Sequence, residues 1–284
     1  MGRCFRKETN TFRCMLALTV TLLCIAMLLH IKTYSTVGTD VSVNDDSTDK
    51  WRKLSCRHVY LDLGCNKGVQ VRKLFQPWLY PGAAIIPYFD KVFGHVAKRR
   101  RDVCAFGFEA NPRHMDRLNY ISRAFRDKGL AVMFYNYAIS NTSKGTVTIY
   151  SETNFDVDWG AGILDVAIQD KQNMTQYAVP NIDIVQFMKE KIIPLSPEKI
   201  FMKMDIEGSE FLVLPHMLRS GMFCKNVITS MVIEVHDWAA SKMRSRLTLD
   251  SFQKQIEAQK CVPSEIVPVD DESYNEDVNV DPSW

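Results

Sequence analysis

The sequence predicts an α/β fold, a doubly wound and mostly parallel sheet, preceded by one N-terminal transmembrane helix. Three observations predict it. HVYLDLGCNKG, residues 58–68, is an apolar run that breaks into a glycine loop, and the helix-like VQVRKLFQPWL follows it. Further apolar runs alternate with amphipathic stretches through the rest of the chain, the pattern of strands joined by covering helices. Near the N-terminus, residues 15–31 are apolar without a formal charge.

At 1.5 Å per residue the N-terminal stretch reaches roughly 25 Å, enough for a thin, early-secretory bilayer. Arg3, Arg6, Lys7 and Arg13 precede it, while Lys32, Asp40, Asp45 and Asp46 follow. That asymmetry puts residues 1–14 in the cytosol and everything after the span in the lumen. The long basic lead and the lack of a small-x-small cleavage site favour a signal anchor over a cleaved signal peptide. The expectation is a single-pass type II protein of the Golgi or endoplasmic reticulum, held in the lipid bilayer through residues 15–31. Residues 32–50 are polar and read as a stem. Residues 51–284 suffice for one lumenal α/β domain with a full core. The net charge of +2 gives no argument for a nucleic-acid partner.

Of eight cysteines, Cys4, Cys14 and Cys24 belong to the tail and span. Cys56, Cys65, Cys104, Cys224 and Cys261 fall to the lumen, where disulfides persist. Their odd number leaves at least one unpaired, and Cys65, inside the glycine loop, is the expected free thiol. Sequons at Asn141 and Asn173 fit the same compartment.

Within the domain the first strand is expected at 59–63 and its helix at 69–79. Pro81-Gly82 and Pro87 mark residues 80–102 as a loop or irregular insert. The second strand ends at Glu109, and Pro112 opens a helix that runs through Arg126. Residues 130–140 read as a third strand and GTVTIYSE as a short β excursion. Residues 199–208 form a fourth strand leading into the helix SEFLVLPHMLRSG. Residues 226–237 form a fifth, followed by a helix to Lys260 and a last strand in SEIVPVDD. This order matches a Rossmann-like sheet, in which ligands sit beyond the carboxyl ends of the strands.

The chemistry gathers at two of those ends. Asp62 closes the first strand, Gly64 lets the turn form, and Gly68 lets a ligand approach the backbone at the helix start. The loop, with Asn66 between its glycines, lacks the G-x-G-x-x-G that receives a dinucleotide pyrophosphate. An acid with a looser loop suits a cationic, phosphate-free cofactor, and S-adenosyl-L-methionine (SAM) is the candidate. Glu109 is placed to accept both ribose hydroxyls, and Asn111 to contact the ribose or adenine. Lys203, Asp205 and Glu207 alternate, so on an extended chain they share a face. Three ionisable groups at the end of a buried strand are costly unless paired or in a site. Gly208 turns the chain, and Ser209 is placed to cap the next helix. A Lys–Asp pair with a cap would account for the same residues structurally.

DLGCNKG, FEANP, KMDIEGSEFLVL and MVIEVH together resemble the FkbM family of SAM-dependent methyltransferases, over residues 59–236. VPNIDIVQFM, with Asp183, is similar to the family segment before the fourth strand. The insert after Trp78, the Cys65-Asn66-Lys67 loop and the C-terminal region depart from the pattern, and these bear on the acceptor surface more than on the cofactor site. The resemblance implies a Rossmann-like methyltransferase sheet and O-methylation, since the family's known acceptors are mainly hydroxyls of sugars and natural products. With the anchor, it points to a glycan, glycoconjugate or small-molecule hydroxyl as acceptor.

Such a reaction needs an in-line acceptor oxygen and a base for its proton. Asp205, Glu207 and His236 are the base candidates beside Lys203, and the ordinary pKa of His236 favours it slightly. Asp205 and Glu207 are alternatively placed to hold a divalent cation that acidifies the acceptor. Other readings compete. Asp156-Val157-Asp158 is similar to the D-x-D motif of type II Golgi glycosyltransferases, although that leaves KMDIEGSE unexplained. A non-catalytic lumenal binding domain is the third reading. Residues 98–101, KRRR, read as a solvated surface, residues 159–162 as a mobile loop over the acceptor, and the acidic C-terminal stretch as exposed.

Overall fold

The computed structural model describes residues 56–152, 161–164, 173–271 and 273. From the N-terminal side these form β1 (His58–Leu63), α1 (Val69–Phe75), α2 (Ile86–Phe93), α3 (Val96–Asp102), β2 (Val103–Phe108), α4 (Met115–Asp127) and β3 (Ala131–Tyr135). The strands β4 (Ala138–Ser140), β5 (Thr146–Glu152) and β6 (Met174–Asp183) follow, then α5 (Ile184–Phe187). The chain continues through β7 (Lys199–Met204), α6 (Glu210–Arg219), β8 (Ser230–Ile233), α7 (Asp237–Ala240), α8 (Leu249–Glu257) and β9 (Glu265–Pro268).

Six strands form one sheet in the order β3-β2-β1-β7-β8-β9, every pair parallel. Counted along the chain within this sheet, that is the doubly wound order, and the winding reverses between β1 and β7. All six residues of β1 are buried, as a strand covered on both faces requires. Val59, Leu61 and Leu63 enter a core with Val213, Leu214 and Met217 of α6 and Phe252 and Ile256 of α8. Tyr60 enters the opposite core, with residues of α1, α2 and α4. Strand alternation places Asp62 on this second face, where an apolar residue would otherwise sit. A second sheet, β4-β6-β5, is parallel at β4–β6 and antiparallel at β5–β6.

Several expectations are corrected. The insert is helical, because Ile85, Phe89, Val92 and Phe93 recur at helical spacing and are buried. Pro87 stands in the first turn of α2, where its missing N–H costs nothing. The basic run is a solvated face only in part, since Lys98 and Arg101 are exposed while Arg99 and Arg100 turn inward. Arg99 is buried, pairing with Asp90 and donating to Leu74 O at 3.0 Å, and Arg100 donates to Phe75 O. These guanidiniums satisfy the carbonyl end of α1. The third strand breaks at Asn136 into β3 and β4 of different sheets, and β6 extends the excursion into a hairpin. The fourth strand ends at Met204, the fifth spans only Ser230–Ile233, and the stretch after it divides into α7 and α8.

Cys56 is bonded to Cys104 and Cys224 to Cys261, and among the described residues Cys65 is the free thiol, as expected, and it is buried. Among the described residues no helix is long and apolar enough to cross a membrane. The expected span at 15–31, the stem, Asp156 to Asp158, Trp159 and most of the acidic C-terminal stretch lie outside them. Asp271 from that stretch is not exposed, since it pairs with buried Lys73 at 3.1 Å and accepts from the Ile85 N–H.

Candidate active site

The residue immediately after each of the four central strands forms a row across the carboxyl edge of the sheet: Glu109, Gly64, Asp205 and Glu234. Each backbone N–H in that row is tied to the end of a neighbouring strand. Glu109 N donates to Tyr135 O, Gly64 N to Phe108 O, Asp205 N to Leu63 O and Glu234 N to Met204 O. Parallel pairing therefore fixes three carboxylates in register around the point where the winding reverses. The glycine is forced by that closeness. At φ +77° a Cβ on Gly64 would lie 1.7 Å from the Asp205 carbonyl oxygen.

Gly68 answers a different demand. Its added Cβ would meet Leu118, Ile121 and Phe134 at 2.9–3.3 Å, so the glycine seats α1 against α4 and β3. Asn66, also at positive φ, donates its N–H to Glu109 at 2.6 Å. The other Glu109 oxygen accepts from Asn111 N at 2.7 Å. Burial pushes Glu109 up to about 7, against the pull of these two N–H groups. Asn136 braces the same turn, its amide donating to the carbonyls of Glu109 and Ala110. Asn111 is wholly buried, and its side chain accepts from Arg113 N as a cap, so it shapes the turn rather than facing the cleft.

Asp62 lies two residues below the row, fully buried, with neither carboxylate oxygen hydrogen-bonded. Burial pushes it up to about 7, with Lys203 and Lys73 pulling the other way. Lys203 donates to Gly64 O at 2.9 Å and to Asp205 at 2.8 Å. It locks the loop after β1 to the loop after β7, and is a positioning group rather than one facing the cleft.

Glu207, at φ +51°, sits in the turn beyond β7 instead of on the strand. The turn brings it to 3.4 Å from His236 Nε2, with Glu234 at 3.6 Å and Asp205 at 3.8 Å from the same nitrogen. The other ring nitrogen, Nδ1, is 2.9 Å from Glu210, which also accepts from Ile206 N. Ser209 holds the N-cap position of α6 but makes no side-chain cap bond, which corrects the expected cap, and Glu210 instead ties the preceding turn at Ile206 to His236. Burial works against a charged His236, but the Glu210 hydrogen bond and the surrounding carboxylates outweigh it and raise the ring to about 9. Burial, with Asp205, Glu210 and Glu234 adding to it, pushes Glu207 up to about 8. Burial and Asp205 take Glu234 to about 7. Glu234 and Glu210 are the site residues that sequence reasoning passed over. Glu234 carried a signal, because it holds the same position after its strand as Glu109 and Asp205.

Glu109, Asp205, Glu207 and Glu234 line an open cleft at this edge of the sheet. Gly64, Asn66 and Glu109 stand beside an apolar wall of Tyr137, Ile139 and Ile149, and Asp205, Glu207 and Glu234 also line the cleft. The donor set suits SAM: a carboxylate for a ribose diol, an apolar wall for a purine, and further carboxylates for a cationic ligand. Asp205, Glu234 and His236 also offer atoms within 4.8 Å of one another, a set able to hold a divalent cation.

The family model described as Methyltransferase FkbM domain matches residues 64–258, from the glycine loop to the end of α8. No curated protein and no solved structure matches the chain.

Proposed function

Because the chain belongs to the FkbM methyltransferase family, we propose that it is a SAM-dependent O-methyltransferase acting on a glycan or other hydroxyl acceptor, anchored in a secretory membrane by residues 15–31. The row of Glu109, Gly64, Asp205 and Glu234 at the winding reversal carries the cofactor reading. SAM, when bound, supplies an electrophilic methyl group. Glu109 binds the ribose hydroxyls, Gly64 and Asn66 form the loop beside it, and buried Asp62 supports that loop.

The base in this reading is Glu207, not His236. An imidazole raised to about 9 holds its proton at neutral pH and has no free lone pair to offer. Glu207 faces the cleft, and its elevated pKa makes its ionised form a stronger base than an ordinary carboxylate. His236 then holds Glu207 in place and balances its charge. Two disulfides suit the lumenal side of the anchor.

Calorimetry with SAM, NAD and UDP-sugars tests the cofactor. SAM alone should bind, and a UDP-sugar binding with manganese in its place would end the methyltransferase reading. Protection of the C-terminal domain from protease in sealed microsomes tests the topology, and digestion without detergent would overturn it. The cation set at Asp205, Glu234 and His236 supports a second reading, metal-assisted transfer. Loss of activity in chelator, restored by added divalent ion, would establish it, and unchanged activity would remove it.

A further inference from the structure

We infer that the amino edge of the main sheet is a lipid-facing surface, which rests against the phospholipid bilayer while the cleft opens away from it. The inference rests on the anchor reading above and adds the orientation of the domain on its membrane. Two features that the site leaves unused meet at this edge. One is the basic run at residues 98–101, and the other is three of the six large apolar side chains exposed among the described residues. Strand register defines the edge. His58 of β1 lies level with Val103 of β2 and Lys199 of β7, so the segments entering these strands share one end of the sheet, opposite the row of Glu109, Gly64, Asp205 and Glu234. α1 runs back from the glycine loop to this end. Arg100, three residues before β2, donates to the carbonyl of Phe75, the last residue of α1, and its guanidinium lies 4.9 Å from the ring centroid of Trp78. α2 ends here as well, with Phe93 stacked on His58 and Lys199 Nζ donating to Val92 O at 2.6 Å.

Trp78 is 48% exposed, Ile193 in the turn before β7 is 39% exposed, and Val262 just before β9 is 68% exposed. The Cys224–Cys261 disulfide ties the segments that enter β8 and β9, which holds Val262 at the same end. An indole with an arginine beside it suits the headgroup layer, where the ring is buried and its N–H stays wet. Residues 57–58, 94–102 and 193–199, which enter β1, β2 and β7, carry six cations and two carboxylates. Glu198 pairs with Arg57 and Asp102 with Arg101, while Arg99 takes Asp90. The opposite end holds Glu109, Asp205, Glu207 and Glu234. A domain so polarised turns its basic end to an anionic surface. The entry of the chain points the same way. The described residues begin at Cys56, two residues before β1, and the Cys56–Cys104 disulfide pins that point to β2. Residues 15–31 therefore join the domain at its amino edge. A strand of six residues spans about 20 Å, which sets the cleft roughly that far from the lipid.

The test uses the full-length protein in nanodiscs of phosphatidylcholine with a minority of phosphatidylinositol, the phosphatidylcholine carrying bromine in its acyl chains as a short-range quencher. The emission of Trp78 is the difference between wild type and Trp78→Phe, and that of Trp238, at the carboxyl edge, is read in the same way from Trp238→Phe. Brominated lipid should quench most of the Trp78 emission and leave that of Trp238 unchanged. Lys98→Glu combined with Arg101→Glu, both exposed positions, should cut the quenching of Trp78 by more than about twofold. Unquenched Trp78, equal quenching of Trp238, or quenching indifferent to the charge reversal would each overturn the inference. Unquenched Trp78 with a dimer in sedimentation would give the edge to a second copy of the chain instead. Alkaline carbonate extraction of microsomes judges the anchor separately. A chain that resists extraction while Trp78 stays unquenched refutes the docking alone, and a chain that is extracted removes the anchor as well.

Discussion

Replacing Asp62 with Asn tests the most costly group in the site. Asp62 is fully buried, unpaired at both oxygens, and raised from 3.8 to about 7. Roughly three units at about 1.4 kcal/mol each set an upper bound near 4 kcal/mol for keeping it ionised in the fold. Between pH 4 and 7 the native state holds a proton that the unfolded chain has released. The stability this group contributes is therefore complete below pH 4, falls as pH rises, and is gone above pH 7. Asn does not titrate, and its buried amide costs about the same at every pH. Relative to wild type, Asp62→Asn should gain about 2–3 kcal/mol between pH 5 and pH 8, or roughly 5–10 °C in Tm for a domain of this size. Thermal melts of both proteins at the two pH values read this difference directly, since Glu109 and Glu207 titrate in both. A Tm difference that does not change with pH would show that Asp62 does not hold the buried proton.

Glu109→Ala should weaken SAM by about 1–3 kcal/mol in calorimetry, and unchanged affinity would remove Glu109 from the cofactor site. Glu207→Gln should slow turnover roughly 10²–10⁴-fold while SAM still binds. Wild-type activity should rise with pH through about 8, and His236→Asn should push that rise to higher pH by removing the cation beside Glu207. Retained turnover in Glu207→Gln, together with total loss in His236→Asn, would return the base to His236. Replacing both Cys56 and Cys104 with Ser, which opens a closure of 48 residues, should lower stability in urea melts by up to about 4 kcal/mol.

The opening unit of the fold was legible because its signals are local. An apolar run, a glycine turn and a helical period identify β1 and α1 without knowledge of their neighbours. The insert was misread because Pro87 signals a break within a chain but also favours a helix start, and only the burial of Phe89 and Phe93 decides between them. The chain leaves the main sheet at Asn136, whose amide serves the carbonyls of a distant turn, so no local pattern marks the exit. Asp62, Glu109, Asp205 and Glu207 could be named from strand ends. The protonation of His236 could not, because it depends on Glu210 from α6, Glu207 from a turn and Asp205 from the end of β7.

In the SAM-dependent reading proposed above, the charge balance places a requirement on the site. Asp62, Glu109, Asp205, Glu207, Glu210 and Glu234 crowd one end of a sheet in a chain whose net charge is +2, with Lys203, Lys73 and His236 as nearby cations. Mutual repulsion and burial raise four of those acids to about 7 or 8. A cationic ligand would relieve that repulsion, and in the SAM-dependent reading proposed above the amino group of the cofactor is one such cation. Methyl transfer removes the sulfonium charge, and the neutral thioether left behind gains less from the same carboxylates. Carboxylates that hold the sulfonium would slow the transfer, because they stabilise the ground state more than the transition state. The same weakening after transfer favours release of the product. Efficient turnover therefore requires the acids to act on the ribose, the amino group and the acceptor proton, and the spread of Glu109, Asp205 and Glu207 over three loops gives each a separate place from which to do so.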